Sequence, residues 1–198
     1  MGSKGSANRQ RIVDAADRLF YSRGYNQTSF SDISDETGIP RGNFYYYFKT
    51  KEDILNAVVK SRVEVFSNLL KQCEVGSDDP AQHLKALLNL PLQREQDTLQ
   101  YGCPIGTLSS ELCKDEMHRV SPDKLTAVFD VMRDWCHNRF MALGYDTAES
   151  TNLAMDMLAQ MQGVVMLASA YNDGDFLRRG VAQSMAWLQK LIDQKPQQ

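Results

Sequence analysis

Apolar residues recur every three or four positions along most of the chain, and this period determines what the chain can fold into. Val and Ile residues do not alternate with polar residues over the length of a strand. Between residues 122 and 144, for example, the apolar series is Leu125, Val128, Met132, Cys136, Phe140 and Leu143. The pattern predicts an all-α protein, and its 198 residues are enough for one or two domains, each with its own core.

Breaks in the helical period predict where one domain ends and the next begins. Gly24 and Gly38 are helix stops near the N-terminus, and the segment EVGSDDP interrupts the period after a long fourth helix. The series before this segment predicts three helices and then the long one, with Thr50 as the N-cap of the long helix and Asp53 at its capping-box position. We therefore predict an N-terminal domain, a connecting helix and a C-terminal helical domain, at residues 1–50, 51–75 and 76–198.

The charge is distributed unevenly along the chain. Residues 1–60 contain nine Lys and Arg against seven Asp and Glu, although the whole chain has a net charge of −3. A net charge of −3 argues against a protein that coats nucleic acid by charge alone. The positive N-terminal segment has the sign expected if only this part of the protein contacts a polyanion.

Composition and cysteine spacing predict the compartment. No apolar run approaches the roughly 20 residues that span a bilayer, and the polar N-terminus does not have the pattern of a signal peptide. The four cysteines show no CxxC pair and the three histidines have no metal-ligand spacing. We therefore expect free thiols in the cytoplasm, with neither a metal nor a cofactor. The cysteines are Cys73, Cys103, Cys113 and Cys136.

Two short predicted helices meet at a tight turn, one ending at Gly38 and the next beginning at Pro40. This arrangement is typical of a helix-turn-helix, in which the second helix enters the major groove of DNA, although an ordinary corner between helices has the same pattern. In the second helix Phe44 and Phe48 lie one turn apart, and we expect both in the core. The three tyrosines Tyr45–Tyr47 spread round the rest of the helix. Their apolar rings and polar hydroxyls suit a surface that contacts something flat and polar.

Residues 12–58 contain a series of motifs at specific spacings from one another. They are Phe20, Gly24-Tyr25, Thr28, Asp32-Ile33 and the run GNFYYYFKTKE at residues 42–52. With these motifs the segment resembles the TetR family of bacterial transcriptional regulators. The resemblance implies a ligand-responsive DNA-binding regulator, most often a repressor that a small molecule releases from a palindromic operator. It also implies that the recognition helix lies at about residues 40–48.

The resemblance implies a set of DNA-binding residues in this sequence. Arg41 can pair with a guanine edge and Asn43 with adenine, while Tyr45 and Tyr46 can contact thymine methyls, sugars or phosphates. Lys51 lies in the first turn of the fourth helix, where a phosphate is also favoured. The predicted set is Thr28, Ser29, Arg41, Asn43, Tyr45, Tyr46, Tyr47 and Lys51.

For the C-terminal part, the resemblance implies an effector pocket and a homodimer interface. The helix after residue 146 is apolar on nearly every side, which fits burial on more than one face. We expect dimerisation through the helices around Ala154–Ala170 and Val181–Ile192. The candidate pocket residues are Met117, Phe129, Met132, Trp135, Arg139 and Met161. For the methionines of the helix after residue 146, plain core packing accounts for at least half, and the chemistry of the small molecule is not predicted.

Two alternatives to a repressor with an ordinary effector depend on Cys103. This residue precedes Pro104 at a predicted helix start, and helix N-termini favour thiolates, so Cys103 is a candidate sensor of oxidants or electrophiles. A cysteine-dependent hydrolase with His118 or His137 is the second alternative. No spacing places either histidine beside the cysteine and no glycine loop precedes it, so we predict that the protein is not an enzyme.

Overall fold

Ten α-helices and no strand make up the residues described by this computed structural model, which are residues 3–113 and 122–194. Within these ranges the all-α prediction is confirmed. The helices are α1 (Ser3–Arg23), α2 (Phe30–Thr37), α3 (Arg41–Tyr47), α4 (Lys51–Cys73), α5 (Pro80–Gln93), α6 (Glu95–Tyr101), α7 (Pro104–Leu112), α8 (Pro122–Ala142), α9 (Thr147–Tyr171) and α10 (Gly174–Asp193).

The chain divides into two compact units. The first consists of Met1–Glu64 and Thr107–Val128, and the second of Val65–Gly106 and Phe129–Gln198. Three helices, α4, α7 and α8, therefore contribute residues to both units. The predicted division at residues 50 and 75 stays a prediction.

The core of the first unit is built around two phenylalanines of α3. Phe44 and Phe48 are 1% and 3% exposed and pack with buried residues of α1, α2, α4 and α7. Their burial confirms what the one-turn spacing predicted. Gly38 ends α2 with a φ of 64°, a left-handed conformation that glycine adopts without strain.

Capping boxes start two helices of the first unit. At α2, the Ser29 hydroxyl accepts a hydrogen bond from the Asp32 N–H at 3.2 Å, and the Asp32 carboxylate accepts one from the Ser29 N–H at 2.7 Å. At α4, Thr50 and Asp53 exchange equivalent bonds at 2.9 and 3.0 Å, which confirms the predicted cap. These bonds pair N–H groups that a helix start would otherwise leave unpaired.

In the second unit, α9 and α10 pack against each other. The buried face of α9 contributes Val165 and Ala168, and α10 contributes Leu177 and Val181. The two helices approach closely at Gly180, since a Cβ there would lie 2.5 Å from a methyl carbon of Val164. This packing buries only one side of α9.

The other side of α9 is exposed and apolar, and we call it the outer face. Its five apolar members lie along one strip of the helix, with exposed Asn152 within that strip and exposed Asp156 at its edge. The five members are Met155, Ala159, Gly163, Met166 and Ala170.

Helix α9 is also long and apolar enough, by length and composition alone, to cross a membrane. The prediction that no apolar segment approaches that length is therefore wrong for Thr147–Tyr171. One such helix is weak evidence for a membrane protein, because core helices of soluble proteins have the same property.

Candidate nucleic-acid interface

Helix α3 presents a short outer surface because its inner residues are fixed in the core. Pro40 is its N-cap and Arg41 its first residue, and the Asn43 N–H donates to the Pro40 carbonyl at 2.8 Å. With Phe44 and Phe48 buried on the inner side, Asn43 lies on the exposed side of the helix. The buried phenylalanines therefore determine which residues of α3 a ligand can reach.

The three tyrosines of α3 have different surroundings. Tyr45 is 56% exposed and stacks on Phe30, with 6.1 Å between the ring centroids and 11° between the planes. Tyr46 is 71% exposed, and its ring meets that of Tyr47 edge to face. Tyr47 is half-buried, and its hydroxyl accepts a hydrogen bond from Asn8 at 3.4 Å. Tyr45 and Tyr46 thus offer free polar edges, whereas Tyr47 is partly used in packing.

The start of α2 places Ser29 and Thr28 differently. Ser29 is exposed and caps the helix. Its hydroxyl and its backbone N–H both donate hydrogen bonds to the Asp32 carboxylate, and these bonds lower the pKa of the Asp32 carboxyl. Thr28 is 1% exposed, and its hydroxyl donates to the Gly24 carbonyl at 2.7 Å. The structure brings Ser29 to the surface and keeps Thr28 inside the turn before α2.

Lys51 is the first residue of α4 and lies against an aromatic ring. Its ammonium nitrogen is 4.1 Å from the ring centroid of Tyr25, within the range of a cation–π interaction. Tyr25 is 3% exposed. The ring therefore gives a lysine at the surface a defined position.

In the second unit, Trp135 and Arg139 both contact Glu74. The Trp135 indole donates to the Glu74 carboxylate at 2.6 Å, Arg139 forms an ion pair with it, and the Arg139 guanidinium lies 4.9 Å from the Trp135 ring centroid. The Trp135 hydrogen bond, with help from Arg139, lowers the pKa of Glu74. His83 is buried beside Trp135, and its Nε2 lies 2.6 Å from the Ser77 carbonyl. We call these four residues the Glu74 cluster: Glu74, His83, Trp135 and Arg139.

The other predicted pocket residues lie in different surroundings. Met132 is buried and Phe129 half-buried. Met161 borders a cavity of about 10 Å³ that is also lined by Leu88 and Val181, which is too small for an effector. Met117 lies outside the described residues. Among the described residues of the predicted set, the structure joins Trp135 to Arg139.

Known proteins match this chain in both its N-terminal and C-terminal parts. Residues 12–58 match the sequence pattern of bacterial regulatory proteins of the tetR family, and residues 80–183 match that of the C-terminal domain of LmrA/YxaF-like transcriptional regulators. The chain belongs to the TetR family. It is therefore a DNA-binding transcriptional regulator of the ligand-responsive kind that is typical of this family.

Individual relatives resemble this TetR-family chain over most of its length. An HTH-type transcriptional regulator from the lacX 3' region of Lactococcus lactis is 31% identical, covering 83% of this chain and 85% of the relative. The regulator YxaF of Bacillus subtilis is 26% identical over 87% of this chain and 90% of its own. A TetR transcriptional regulator from Chloroflexus aurantiacus shares the fold, with a TM-score of 0.80, 24% identity and 97% coverage of both chains.

Three basic residues of this TetR-family regulator have contacts that were not predicted from the sequence. The Arg9 guanidinium lies 4.8 Å from the Phe48 ring centroid. Arg11 donates to the Thr37 carbonyl at 2.8 Å, and Lys49 donates to the Tyr45 carbonyl, so each stabilises a helix C-terminus. Only Lys49 had a local signal, its spacing of four residues from Tyr45.

Cys103 is at the start of a helix, as expected, but its surroundings are those of a packed residue. Cys103 stands at the N-cap position of α7, and its sulfur accepts a hydrogen bond from the Gly106 N–H at 3.5 Å. Its side chain packs against the buried cluster of α9 and α10. Burial raises the pKa of the Cys136 thiol to about 12, which disfavours its thiolate at neutral pH.

Proposed function

We propose that this protein is a homodimeric repressor that binds a palindromic operator through α3 and leaves it when a small molecule binds the C-terminal helices. The main support is the outer surface of α3, where Asn43, Tyr45 and Tyr46 are exposed while Phe44 and Phe48 anchor the helix. Buried anchors keep the exposed residues in place for contact with base edges. The protein would act in the cytoplasm, where the operator is, and without catalytic activity.

Base contacts in this proposal come from the first half of α3. Arg41 pairs with a guanine edge and Asn43 with adenine, because their side-chain donors and acceptors match those edges in the major groove. Tyr45 and Tyr46 place their rings against thymine methyls or sugars and direct their hydroxyls to phosphates.

Phosphate contacts come from the residues around this helix. Ser29 is exposed at the start of α2, and Lys51 stands at the start of α4, where the helix dipole also favours an anion. Tyr47 is half-buried and Thr28 is buried. The Tyr47 hydroxyl, which accepts a hydrogen bond from Asn8, would contact a phosphate, and Thr28 would stabilise the turn before α2 through its bond to Gly24. Phosphate contacts fix the position of the protein on DNA but do not select a sequence.

Dimerisation is supported by the outer face of α9. A palindromic operator needs two recognition helices about 34–36 Å apart, so the regulator must present two copies. The five members of the outer face are apolar and uncharged, and the Cβ position of Gly163 has no neighbour within 4 Å. A second copy of the chain would cover this face together with part of α10.

The effector site is proposed among the predicted pocket residues of the C-terminal helices. Trp135 and Arg139 offer an aromatic ring and a cation, and their shared contact with Glu74 holds both in place. The remaining proposed residues are Met117, Phe129, Met132 and Met161. Nothing in the comparisons or in the described residues favours thiol sensing by Cys103 or a hydrolase.

A fluorescent duplex of the intergenic DNA upstream of the reading frame tests the DNA-binding proposal. We expect saturable binding that excess unlabelled duplex of the same sequence reverses and that unrelated duplex does not. Footprinting should then show two protected half-sites one helical turn apart or a multiple of it. Equal competition by unrelated DNA at every salt concentration would contradict a specific operator in this region.

A further inference from the structure

The turn between α1 and α2 depends on a carboxylate from a distant helix. The Tyr25 N–H donates to Glu111 Oε2 at 2.7 Å, and the Asn26 N–H donates to Oε1 at 2.6 Å. Each carboxylate oxygen of Glu111 therefore accepts one backbone N–H of the turn. Glu111 lies on α7, 86 positions after Tyr25 in the sequence and in the same compact unit.

Gly24 allows the carboxylate to come this close. Its φ is 92°, and a Cβ at this position would lie 3.1 Å from both carboxylate oxygens of Glu111. That distance is shorter than most contacts of real Cβ atoms. The glycine and the carboxylate therefore fit each other, and the contact is more specific than an ordinary surface ion pair.

The side chain of Tyr25, a residue of this turn, contacts Lys51. The buried Tyr25 ring contacts Phe20 edge to face, with 5.1 Å between the centroids, and the Lys51 ammonium lies over it. The backbone hydrogen bonds of Tyr25 help to hold its ring, and the ring contacts the ammonium. We propose that Glu111 is a positioning residue of the DNA-binding surface, which holds Tyr25 so that Lys51 faces a DNA phosphate. This inference rests on the phosphate contact proposed above for Lys51.

A carboxylate is needed at this position for a chemical reason. Hydrogen bonds to an ionised acceptor are shorter and stronger than those between neutral groups. An amide in place of Glu111 has one acceptor oxygen, and its NH₂ group would face the second backbone N–H. Glu111→Gln therefore keeps the size of the side chain but removes one of the two hydrogen bonds.

Salt titration of DNA binding tests the proposal with the full-length chain and the upstream duplex. Each phosphate contact adds about 0.9 to the slope of log affinity against log salt, so Lys51→Ala should reduce the slope by about that amount. We expect Glu111→Ala to reduce the slope equally and the double variant to reduce it no further. Glu111→Gln should give an intermediate affinity. A residue that only stabilises the fold would lower the active fraction and leave the slope of the active protein unchanged.

The control is Glu36→Ala, which removes an exposed carboxylate of the same unit that pairs with Arg18 at 3.2 Å. It changes the net charge as Glu111→Ala does and leaves the turn intact. Amide hydrogen exchange should accelerate at both Tyr25 and Asn26 in Glu111→Ala, at one of the two in Glu111→Gln, and at neither in Glu36→Ala. Accelerated exchange together with the reduced slope would support the proposal.

Three results would overturn this inference. The first is a parent slope in Glu111→Ala. The second is a further reduction of the slope in the double variant. The third is unchanged exchange at Tyr25 and Asn26. If Lys51→Ala kept the slope of the parent protein, the proposed phosphate contact of Lys51 would be contradicted. If Glu111→Ala nevertheless reduced the slope, the effect of Glu111 would not pass through Tyr25 to Lys51.

Discussion

The outer surface of α3 and the outer face of α9 both expose large apolar side chains, but the polar groups on those side chains differ. On α3, Tyr45 and Tyr46 are 56% and 71% exposed, and each ring carries a hydroxyl. On α9, Met155 and Met166 are 51% and 63% exposed and have no polar group beyond a thioether. Exposed apolar area alone therefore does not identify the partner. The polar atoms at its edge separate the two proposed roles, since tyrosine hydroxyls can reach phosphates whereas methionine and alanine can pack against a second copy of the same helix.

The largest effect is expected from a charge placed in the outer face of α9. Gly163→Glu has room in the single chain, because a Cβ there meets nothing within 4 Å, but it would bury an unpaired carboxylate in the dimer. Because an unpaired buried charge costs about 3–5 kcal/mol, dimerisation and operator affinity should each fall about 100-fold or more. Sedimentation should then show a species near 22.4 kDa, the mass of one chain.

Gln82→Glu is the matched control for this charge. Gln82 is exposed in the first turn of α5, where a carboxylate is favourable, so this variant should remain dimeric and bind DNA like the parent. A dimeric Gly163→Glu protein would show that the outer face of α9 is not the interface.

The next effect concerns base recognition by α3. Arg41→Ala should weaken operator binding by about 1–3 kcal/mol and relax the preference at one base pair, because a bidentate contact with guanine is lost. Binding to a panel of operator duplexes, each with one substituted base pair, measures both changes. Dimerisation should not change, which separates the two surfaces. If the base preference did not change, Arg41 would not be the residue that recognises this base pair.

A smaller effect is expected when only the polar edge of α3 is removed. Tyr46→Phe keeps the ring and deletes the hydroxyl, so operator affinity should fall by about 0.5–1.5 kcal/mol. Met166→Leu, an apolar exchange in the outer face of α9, should change neither DNA affinity nor dimerisation appreciably. Calorimetric titration with the operator measures the difference. If Tyr46→Phe bound as tightly as the parent, the hydroxyl would not contact DNA, and the proposed contrast between the two surfaces would fail at this residue.

The smallest effect is expected at Cys103, which belongs to neither surface. Serine is a better N-cap than cysteine, so Cys103→Ser should keep operator affinity within about twofold and leave α7 intact. In the parent, exposed Cys113 should alkylate first and Cys136 last, since burial raises the pKa of Cys136 to about 12. Mass spectrometry of each cysteine gives the order. Fastest reaction at Cys103, with loss of DNA binding that Cys103→Ser abolishes, would favour thiol sensing instead.

The sequence predicted those parts of the fold that depend on local spacing. Phe44 and Phe48 are one turn apart, so their burial follows from the helical period, and the Thr50–Asp53 cap is a contact between residues three apart. The exposure of Tyr45 and Tyr46 follows in turn, because the anchors take the inner side of α3. Thr28, which the family resemblance placed among the DNA-binding residues, is buried, and its hydroxyl donates to the Gly24 carbonyl.

Contacts between distant residues had no signal in the sequence. Glu111 contacts Tyr25 across 86 positions, and Glu74 contacts Trp135 across 61. In both pairs the glutamate meets an N–H group, and such groups occur throughout the chain. Only the packing of the helices determines which of them a carboxylate reaches. Arg11 and the Thr37 carbonyl, 26 positions apart, are a third case.

The anchoring of α3 by Phe44 and Phe48 also bears on how such a regulator can evolve. The positions that face outwards contribute little to the fold: Asn43 and Tyr46 are exposed, and a Cβ at Gly42 would meet nothing within 4 Å. Exposed substitutions of this kind usually change stability by no more than about 0.5 kcal/mol. On the DNA-binding role proposed for α3, operator preference can therefore change by exchanges at Asn43 and Tyr46, one at a time, while each intermediate stays folded.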